Sequence, residues 1–187
     1  MNAKKFPIAV ILGSLTDLET IQGDLENTLK KFGIPKEEVL LNVISAHRNP
    51  EDLKKFCEEA PGLGVSVIIA VAGLSAALPG TIAAHTRLPV IGVPIIANNS
   101  PSGMDALLAI SQMPPGVTAT SVGLNNMTNA VLQAVRILAL FDTTFELAEK
   151  MNIYMKNLSK ENVKANGKEA LTSLGYASYY TLETNPT

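Results

Sequence analysis

Short, continuous apolar runs alternate with amphipathic or small-residue segments along most of the chain, and this alternation constrains the fold more than any other feature. The runs span residues 7–12, 39–44, 65–71 and 88–96, and residues 117–122, which mix apolar with hydroxyl side chains, are predicted as a fifth strand. Apolar runs of this length, bounded by turn residues, are typical of strands that are buried on both faces of a parallel sheet. The sequence therefore predicts an α/β fold, with a doubly wound parallel sheet of about five strands and right-handed crossovers.

The segments between the runs predict helices. One apolar stripe at spacings of three and four precedes Gly33, which ends the helix. Its residues are Leu18, Ile21, Leu25, Leu29 and Phe32. Residues 130–140 are apolar around most of the circumference of a helix, which predicts burial at a subunit interface. A further helix is predicted after Asp142, and from residue 159 onward a polar tail is predicted to dock on a neighbour or to be partly disordered. The tail carries a tyrosine patch, formed by Tyr176, Tyr179 and Tyr180.

The stretch Ser45-Ala46-His47-Arg48-Asn49-Pro50 is the strongest candidate for a functional site. Asn49 is a good helix N-cap and Pro50 suits the first helical position, so the stretch connects the end of a strand with the start of a helix. Ligands bind at this edge in open α/β sheets. An imidazole that titrates near neutrality, beside a permanent cation, suits proton transfer on an anionic substrate. The alternative is a polar surface loop in which His47 is solvated and Arg48 pairs with a surface carboxylate.

Three further segments follow predicted strands at the same edge of the sheet. Gly13-Ser14-Leu15-Thr16-Asp17 resembles turns that bind phosphate at a helix N-terminus, although it lacks the lysine and the glycine spacing of a Walker motif. The small residues of 72–80 let a ligand approach the backbone, or let helices pack tightly. Residues 97–103 form a polar loop that we expect to border the site. Converging hydroxyls, one imidazole, one guanidinium and one carboxylate predict acid–base chemistry on a small phosphorylated molecule.

Composition argues against several other classes of function. The formal net charge of −2 leaves no electrostatic footprint for nucleic acid. No apolar run approaches the ~20 residues of a membrane span, and the N-terminus is not typical of a signal peptide, so a cytoplasmic protein is predicted. Two histidines and one cysteine argue against a zinc site. Cys57 is predicted to be a core residue, and His85 a solvated loop residue away from the site. The low charged fraction of 17% predicts buried subunit contacts.

Four segments taken together resemble one family. They are Gly13-Ser14-Leu15-Thr16-Asp17, Ser45-Ala46-His47-Arg48-Asn49-Pro50, Leu78-Pro79-Gly80 with residues 89–94, and residues 103–108 with Gln112-Met113-Pro114. In this order they are similar to the N5-carboxyaminoimidazole ribonucleotide mutases of purine biosynthesis, the PurE family, over residues 7–142. The resemblance implies a PurE-like catalytic domain at residues 1–142. Residues 143–187 are then a C-terminal helix and tail involved in oligomer contacts.

The resemblance implies a flavodoxin-like three-layer α/β/α sandwich, assembled as a homo-octamer with sites at subunit junctions. It also implies that Ser14 and Asp17 hold the phosphate and ribose of a small ribonucleotide substrate, and that Arg48 contacts the phosphate. Further substrate-binding residues implied by the family's motifs are Thr16, Ser45, Gly73, Ser75 and Leu78. The family reaction moves a carboxylate from the exocyclic nitrogen to C4 of the imidazole: CO2 is released and recaptured, and His47 then removes the C4 proton. No metal or organic cofactor takes part.

The third loop departs from the family pattern. Mutases commonly have a histidine where this chain has Ala77. The related carboxylases, which use free CO2, also lack that histidine and have a Gly-x-Ser pattern that Gly73 and Ser75 match, but they usually have lysine in place of Arg48. Two alternatives to the mutase therefore stay open: a carboxylase acting on aminoimidazole ribonucleotide, and a nucleotide-binding paralogue with reduced activity. Thr16 in place of a more usual serine is a smaller departure.

Overall fold

The computed structural model describes residues 6–100, 102–144, 146–159 and 171–175, and the chain forms two compact units, Met1–Phe141 and Asp142–Thr187. The strands of the first unit are β1 (Ile8–Leu12), β2 (Val39–Val43), β3 (Val67–Gly73), β4 (Val90–Ile95) and β5 (Thr120–Ser121). Its helices are α1 (Thr16–Phe32), α2 (Pro50–Glu59), α3 (Ala77–His85), α4 (Met104–Ser111) and α5 (Met127–Ala139), with a 3-10 helix at Lys36–Glu38. The second unit contains α6 (Glu146–Ser159), the predicted C-terminal helix. None of the described helices is long and apolar enough to cross a membrane.

The strands pair in parallel, in the order β2-β1-β3-β4-β5. Ile8 of β1 lies opposite Val39 of β2 and Val67 of β3, so these strands run in register toward a common edge. The predicted doubly wound parallel sheet is thereby confirmed. The chain leaves β1 toward β2 on one side and returns to β3 on the other. Because the segments after β1 and β3 lead to helices on opposite faces of the sheet, a crevice forms at this switch point.

Helices cover both faces of the sheet and make the predicted three-layer α/β/α sandwich. On one face α1 packs against α5; on the other, α2 packs against α3, and α3 against α4 and the sheet. Every residue of β1 and β4 is buried, as is expected of central strands. Cys57 of α2 lies in the core, as predicted. β2 is an edge strand, and its Leu41 and Val43 are exposed. The core is therefore centred on β1, β3 and β4.

α3 begins at Ala77, inside the small-residue segment 72–80. Pro79 occupies its first turn, where a helix offers no intrahelical partner for the backbone N–H that proline lacks, so proline is tolerated there. The small-residue loop therefore ends at Ala76. His85 is the last residue of the helix and not a loop residue, although it is exposed as predicted.

The later strands are shorter than their apolar runs or shifted along them. β3 extends to Gly73, beyond the predicted end at residue 71, and β4 covers only part of residues 88–96. β5 is reduced from residues 117–122 to Thr120–Ser121, which pair only with Ile91 and Gly92 of β4. A strand needs a hydrogen-bonding neighbour along its length, and among the described residues β5 has one only beside Ile91 and Gly92.

α5 buries one face. Its buried residues are Met127, Ala130, Val131, Ala134 and Val135. The residues between them are half-buried or exposed, so the described residues cover the rest of the apolar circumference only in part. The expected contact with another subunit stays a prediction. The predicted tyrosine patch lies outside the described residues.

Candidate active site

The carboxyl ends of β1, β2 and β3 surround a cavity of about 500 Å³. The β1–α1 turn, the β2–α2 turn and the β3–α3 loop form its walls, and Ala97 after β4 also lines it. Every residue predicted for the site lines this cavity: Ser14, Thr16, Asp17, Ser45, His47, Arg48, Gly73, Ser75 and Leu78. The structure therefore brings the predicted residues together, while their separate roles stay predictions.

Other residues of the lining carry no chemical signal in the sequence. They are Gly13, Ala46, Ala72, Leu74, Ala76, Ala77 and Ala97, and only Ala77 and the loop containing Ala97 stand out by sequence. These residues contribute backbone atoms and small apolar side chains. In the sequence, only their position at strand ends, beside polar motifs, marks them as candidates for the lining. Of the loop predicted to border the site, only Ala97 lines the cavity among the described residues. The described part of the chain also holds no group of three or more potential metal ligands.

Hydrogen bonds fix the β1–α1 turn. Gly13 N donates to Val71 O at 2.9 Å and so continues the pairing of β1 with β3. Ser14 N donates to Oδ2 of Asp17 at 2.9 Å, and the Thr16 hydroxyl donates to Ser14 Oγ at 2.9 Å. Because Ser14 Oγ accepts this bond, its own proton is available to a ligand. The N–H groups of Asp17 and Leu18 already donate to Ser14 O and Leu15 O, at 3.2 and 3.1 Å, so the Ser14 hydroxyl is the donor of this turn that suits an anion.

Asp17 is the buried carboxylate of the cavity wall. Its side chain lies in the first turn of α1, and the residue is only 8% exposed. Burial raises the pKa of the Asp17 carboxyl above its usual value, while the hydrogen bond from Ser14 N and the nearby Arg48 charge act to lower it. An ionised carboxylate only accepts hydrogen bonds, so Asp17 suits a ligand's hydroxyl groups rather than its phosphate.

The β2–α2 turn ends where the sequence predicts, but for a different reason. α2 begins at Pro50 with Asn49 in the N-cap position, yet the Asn49 side chain does not cap the helix. Its Oδ1 accepts from Ser45 N at 2.8 Å, and its Nδ2 donates to Asp52 Oδ2 at 3.2 Å. The amide oxygen is thus bonded back to the start of the turn and not forward to the N–H groups of α2.

His47 and Arg48 lie on this turn, and both are exposed. Arg48 Nη2 donates to Gly13 O at 3.2 Å, which connects the β2–α2 turn with the β1–α1 turn. Within the described residues, Arg48 forms no ion pair with a carboxylate and the His47 ring forms no hydrogen bond. The alternative in which Arg48 pairs with a surface carboxylate is therefore not supported. The imidazole and the remaining guanidinium donors are available to a ligand.

The backbone of the β3–α3 loop is strained at two residues that are not glycine. Leu74 and Ala76 have φ angles of 53° and 31°, in the left-handed region that L residues rarely adopt. Ala76 N donates to Gly73 O at 3.0 Å, which closes the loop before α3. A Cβ at Gly73 would lie 3.1 Å from Ile95 O, so glycine allows the close approach of β4. Strain of this kind clusters at ligand sites, where neighbouring structure maintains it.

Comparisons with known proteins agree with this geometry. The family model described as AIR carboxylase matches residues 7–161. The N5-carboxyaminoimidazole ribonucleotide mutase of Pyrococcus horikoshii is 40% identical over 179 residues, which cover 96% of each chain. The phosphoribosylaminoimidazole carboxylase of Candida albicans is 42% identical over 93% of this chain, but the chain spans only 29% of that longer protein.

A solved structure of Treponema denticola PurE superposes with a TM-score of 0.73 at 27% identity, covering 86% of this chain and 96% of that one. Fold, family model and relatives therefore agree with the resemblance drawn from the motifs, which is confirmed. The chain belongs to the AIR carboxylase family.

Proposed function

We propose that the chain is an N5-carboxyaminoimidazole ribonucleotide mutase of de novo purine biosynthesis. The observation that carries this proposal is the β2–α2 turn, which presents at one cavity, beside Ser14 and Asp17, an exposed guanidinium and an imidazole that has no partner among the described residues. Family membership and the curated mutases that match this chain along most of their length support the same activity.

The cavity offers complementary groups for the two ends of a ribonucleotide. Arg48 and Ser14 provide donors for the phosphate, and Thr16 orients the Ser14 hydroxyl. The buried Asp17 carboxylate accepts from the ribose hydroxyls. Ser45, Gly73, Ser75 and Leu78 would then surround the base. Small residues in the β3–α3 loop leave room for the migrating carboxylate.

The reaction requires one proton to enter and one to leave. The bond between the exocyclic nitrogen and the carboxylate carbon breaks, CO2 departs, and the nitrogen takes a proton. C4 then attacks CO2 to form the new carbon–carbon bond, and His47 removes the proton that C4 still carries. A single imidazole suits this exchange because its two ring nitrogens can both donate and accept a proton. The ring makes no hydrogen bond to the described residues, so either nitrogen is available.

The exposure of His47 supports a site completed by other copies of the chain. CO2 must be retained and water excluded for recapture to succeed, whereas His47 is exposed in one chain. We therefore keep the homo-octamer with sites at subunit junctions as part of the proposal. In this assembly residues 1–142 form the catalytic domain, and residues 143–187 contribute oligomer contacts. The enzyme acts in the cytoplasm on a small ribonucleotide and CO2, without a metal or organic cofactor.

Ala77 favours a second candidate, the carboxylase that uses free CO2. Its methyl group lines the cavity at the first residue of α3, where mutases commonly have an imidazole. The deciding measurement is interconversion of the two carboxylated aminoimidazole ribonucleotides by the purified protein, with and without bicarbonate. We expect conversion without bicarbonate. Turnover only of the uncarboxylated ribonucleotide with bicarbonate would favour the carboxylase, and binding without turnover would favour the paralogue of reduced activity.

His47→Asn tests the proton-transfer role separately. Because positioned acid–base groups contribute roughly 10²- to 10⁴-fold to rate, we expect kcat to fall at least about 100-fold. The affinity for the product ribonucleotide, measured by calorimetry, should change little, because the phosphate and ribose contacts belong to other residues. An active His47→Asn enzyme would remove the imidazole from the mechanism.

A further inference from the structure

The His47 ring receives no support from neighbouring side chains. It is exposed and forms no hydrogen bond with any described residue. Its location over the cavity therefore depends on the backbone between Ser45 and Asn49. A catalytic group misplaced by about 1 Å can lose about 100-fold in rate, so whatever fixes this backbone matters for the chemistry.

Asn49 closes that segment into a ring. Its Oδ1 accepts from Ser45 N at 2.8 Å, and its backbone N donates to Ser45 O at 3.0 Å. Both polar backbone groups of Ser45 are thus held by one residue, and Ala46, His47 and Arg48 lie between the two. A further bond from Arg48 N to Ser45 Oγ, at 3.3 Å, spans the interior of the ring.

The ring is anchored on both sides. Ile44 N donates to Leu12 O at 2.9 Å, which carries the β1–β2 pairing up to the residue before Ser45. On the other side, Asn49 O accepts from Leu53 N at 3.2 Å, and Leu53 is fully buried in α2. The ring therefore connects the sheet with the core-facing side of α2.

Asp52 determines which way the Asn49 amide faces. A carboxylate cannot donate, so the Asp52 oxygen 3.2 Å away must face Nδ2, and Oδ1 must then face Ser45 N. The Asn49 side chain therefore does not accept a hydrogen bond from the first N–H groups of α2, as an N-cap asparagine usually does, and α2 has no side-chain N-cap. Departures of this kind from local sequence preferences, here the preference of asparagine to cap a helix, are found mainly at functional sites.

We propose that Asn49 is a positioning residue for His47, and that it acts by closing the Ser45–Asn49 ring. This inference rests on the proposed function of His47 as the proton shuttle. Asn49 acts on His47 through the backbone and needs no contact with the substrate.

The test compares two N-cap asparagines. Asn126 at α5 uses its Oδ1 in the ordinary forward sense, accepting from Asn129 N at 2.9 Å, and lies outside the cavity lining. Asn49→Ala should lower kcat about 100-fold, and KM should rise as well, because Arg48 lies in the same ring. Asn126→Ala should lower the melting temperature and leave both kinetic constants unchanged.

A charge-exchanged pair provides the rescue. In Asn49→Asp/Asp52→Asn the acceptor for Ser45 N is kept, the contact between the two side chains is kept with its polarity reversed, and the net charge is unchanged. We expect this double variant to recover kcat to within about fivefold of wild type. An Asn49→Ala enzyme with kcat within about threefold of wild type would overturn the proposal, and so would a folded double variant as slow as Asn49→Ala.

A second readout does not depend on turnover. The chain has only two histidines, so selective ¹⁵N-histidine labelling reports the backbone amides of His47 and His85 alone. In Asn49→Ala the order parameter at His47 should fall from about 0.85 toward 0.6, while that at His85 stays constant. An unchanged value at His47 would overturn the positioning role. If the wild type converts no ribonucleotide, the proposed function fails while this comparison still decides the role of Asn49.

Discussion

Replacement of Arg48 by alanine should weaken ligand binding far more than it weakens the fold. The guanidinium is exposed, and within the described part of the chain it makes one hydrogen bond, to Gly13 O at 3.2 Å. Loss of that bond between exposed groups should cost at most about 1 kcal/mol of the free energy of unfolding. A charge-assisted bond to a phosphate is worth about 1.5–3 kcal/mol, which corresponds to a rise of about 10- to 150-fold in Kd.

The assay is calorimetric titration with the product ribonucleotide at low and high salt. Because Arg48 lies at the protein surface, its attraction for a phosphate is screened by salt, so the wild-type Kd should rise with ionic strength more steeply than that of Arg48→Ala. Arg87→Ala is the matched control. Arg87 is an exposed arginine just before β4, at the opposite edge of the sheet. Its removal should change neither Kd nor the salt dependence.

Arg48→Lys separates charge from shape. Lysine keeps the positive charge but lacks the planar fork that binds two phosphate oxygens, so its Kd should fall between those of wild type and Arg48→Ala. If Arg48→Ala bound the ribonucleotide within about threefold of wild type at low salt, the phosphate contact inferred from this turn would be refuted.

Two further predictions concern stability. Because the pKa of Asp17 is raised above 3.8, the native state binds more protons than the unfolded state between the two values, and the free energy of unfolding falls as pH rises through that window. Asp17→Asn keeps an acceptor for Ser14 N but has no charge to bury. The melting temperature of this variant relative to wild type should therefore increase from about pH 3 to about pH 7, while its ribonucleotide binding weakens. A difference in melting temperature that stays constant over this pH range would contradict the argument. Gly23→Ala, inside α1 with no atom within 4 Å of the new Cβ, should raise the free energy of unfolding by about 0.5–1 kcal/mol. In Gly92→Ala the Cβ would lie 2.5 Å from Ile110 Cγ2, so urea denaturation should show a loss of about 1–3 kcal/mol; the same sign for both glycines would refute this packing argument.

The central part of the fold was predictable because continuous apolarity reports burial on both faces of a sheet. β1 and β4 fulfil that expectation completely. β2 does not, since Leu41 and Val43 are exposed in an equally apolar run. A sequence does not distinguish a strand buried within its own chain from one that another copy would cover. β5 is shorter than predicted because hydrogen-bonded pairing decides where a strand ends, and among the described residues only Thr120 and Ser121 pair with β4.

The location of the site was predictable from the sequence, whereas the hydrogen bonds that shape it were predictable only in part. In a parallel sheet the strand ends converge whatever the side chains, so Ser14, His47 and Gly73 had to lie at one edge. The bond partner of Asn49 was not accessible in this way. The side chain of an asparagine before a helix can bond forward to the N–H groups of the helix or back to the preceding turn. Here the N–H of Ser45 and the nearby Asp52 carboxylate favour the bond back to the turn. Both are features of three-dimensional placement.

The shape of the β3–α3 loop does not depend on the side chain at residue 77, and this bears on the difference between mutase and carboxylase patterns. The loop is closed by the bond from Ala76 N to Gly73 O and by the left-handed backbone at Leu74 and Ala76. Residue 77 follows these constraints as the first residue of α3. An exchange of imidazole for methyl at Ala77 therefore alters the chemistry of the cavity wall without requiring Gly73 or Leu78 to move. The difference between the mutase and carboxylase patterns at residue 77 therefore needs no change of fold, because one side chain at the start of α3 alters the cavity wall by itself.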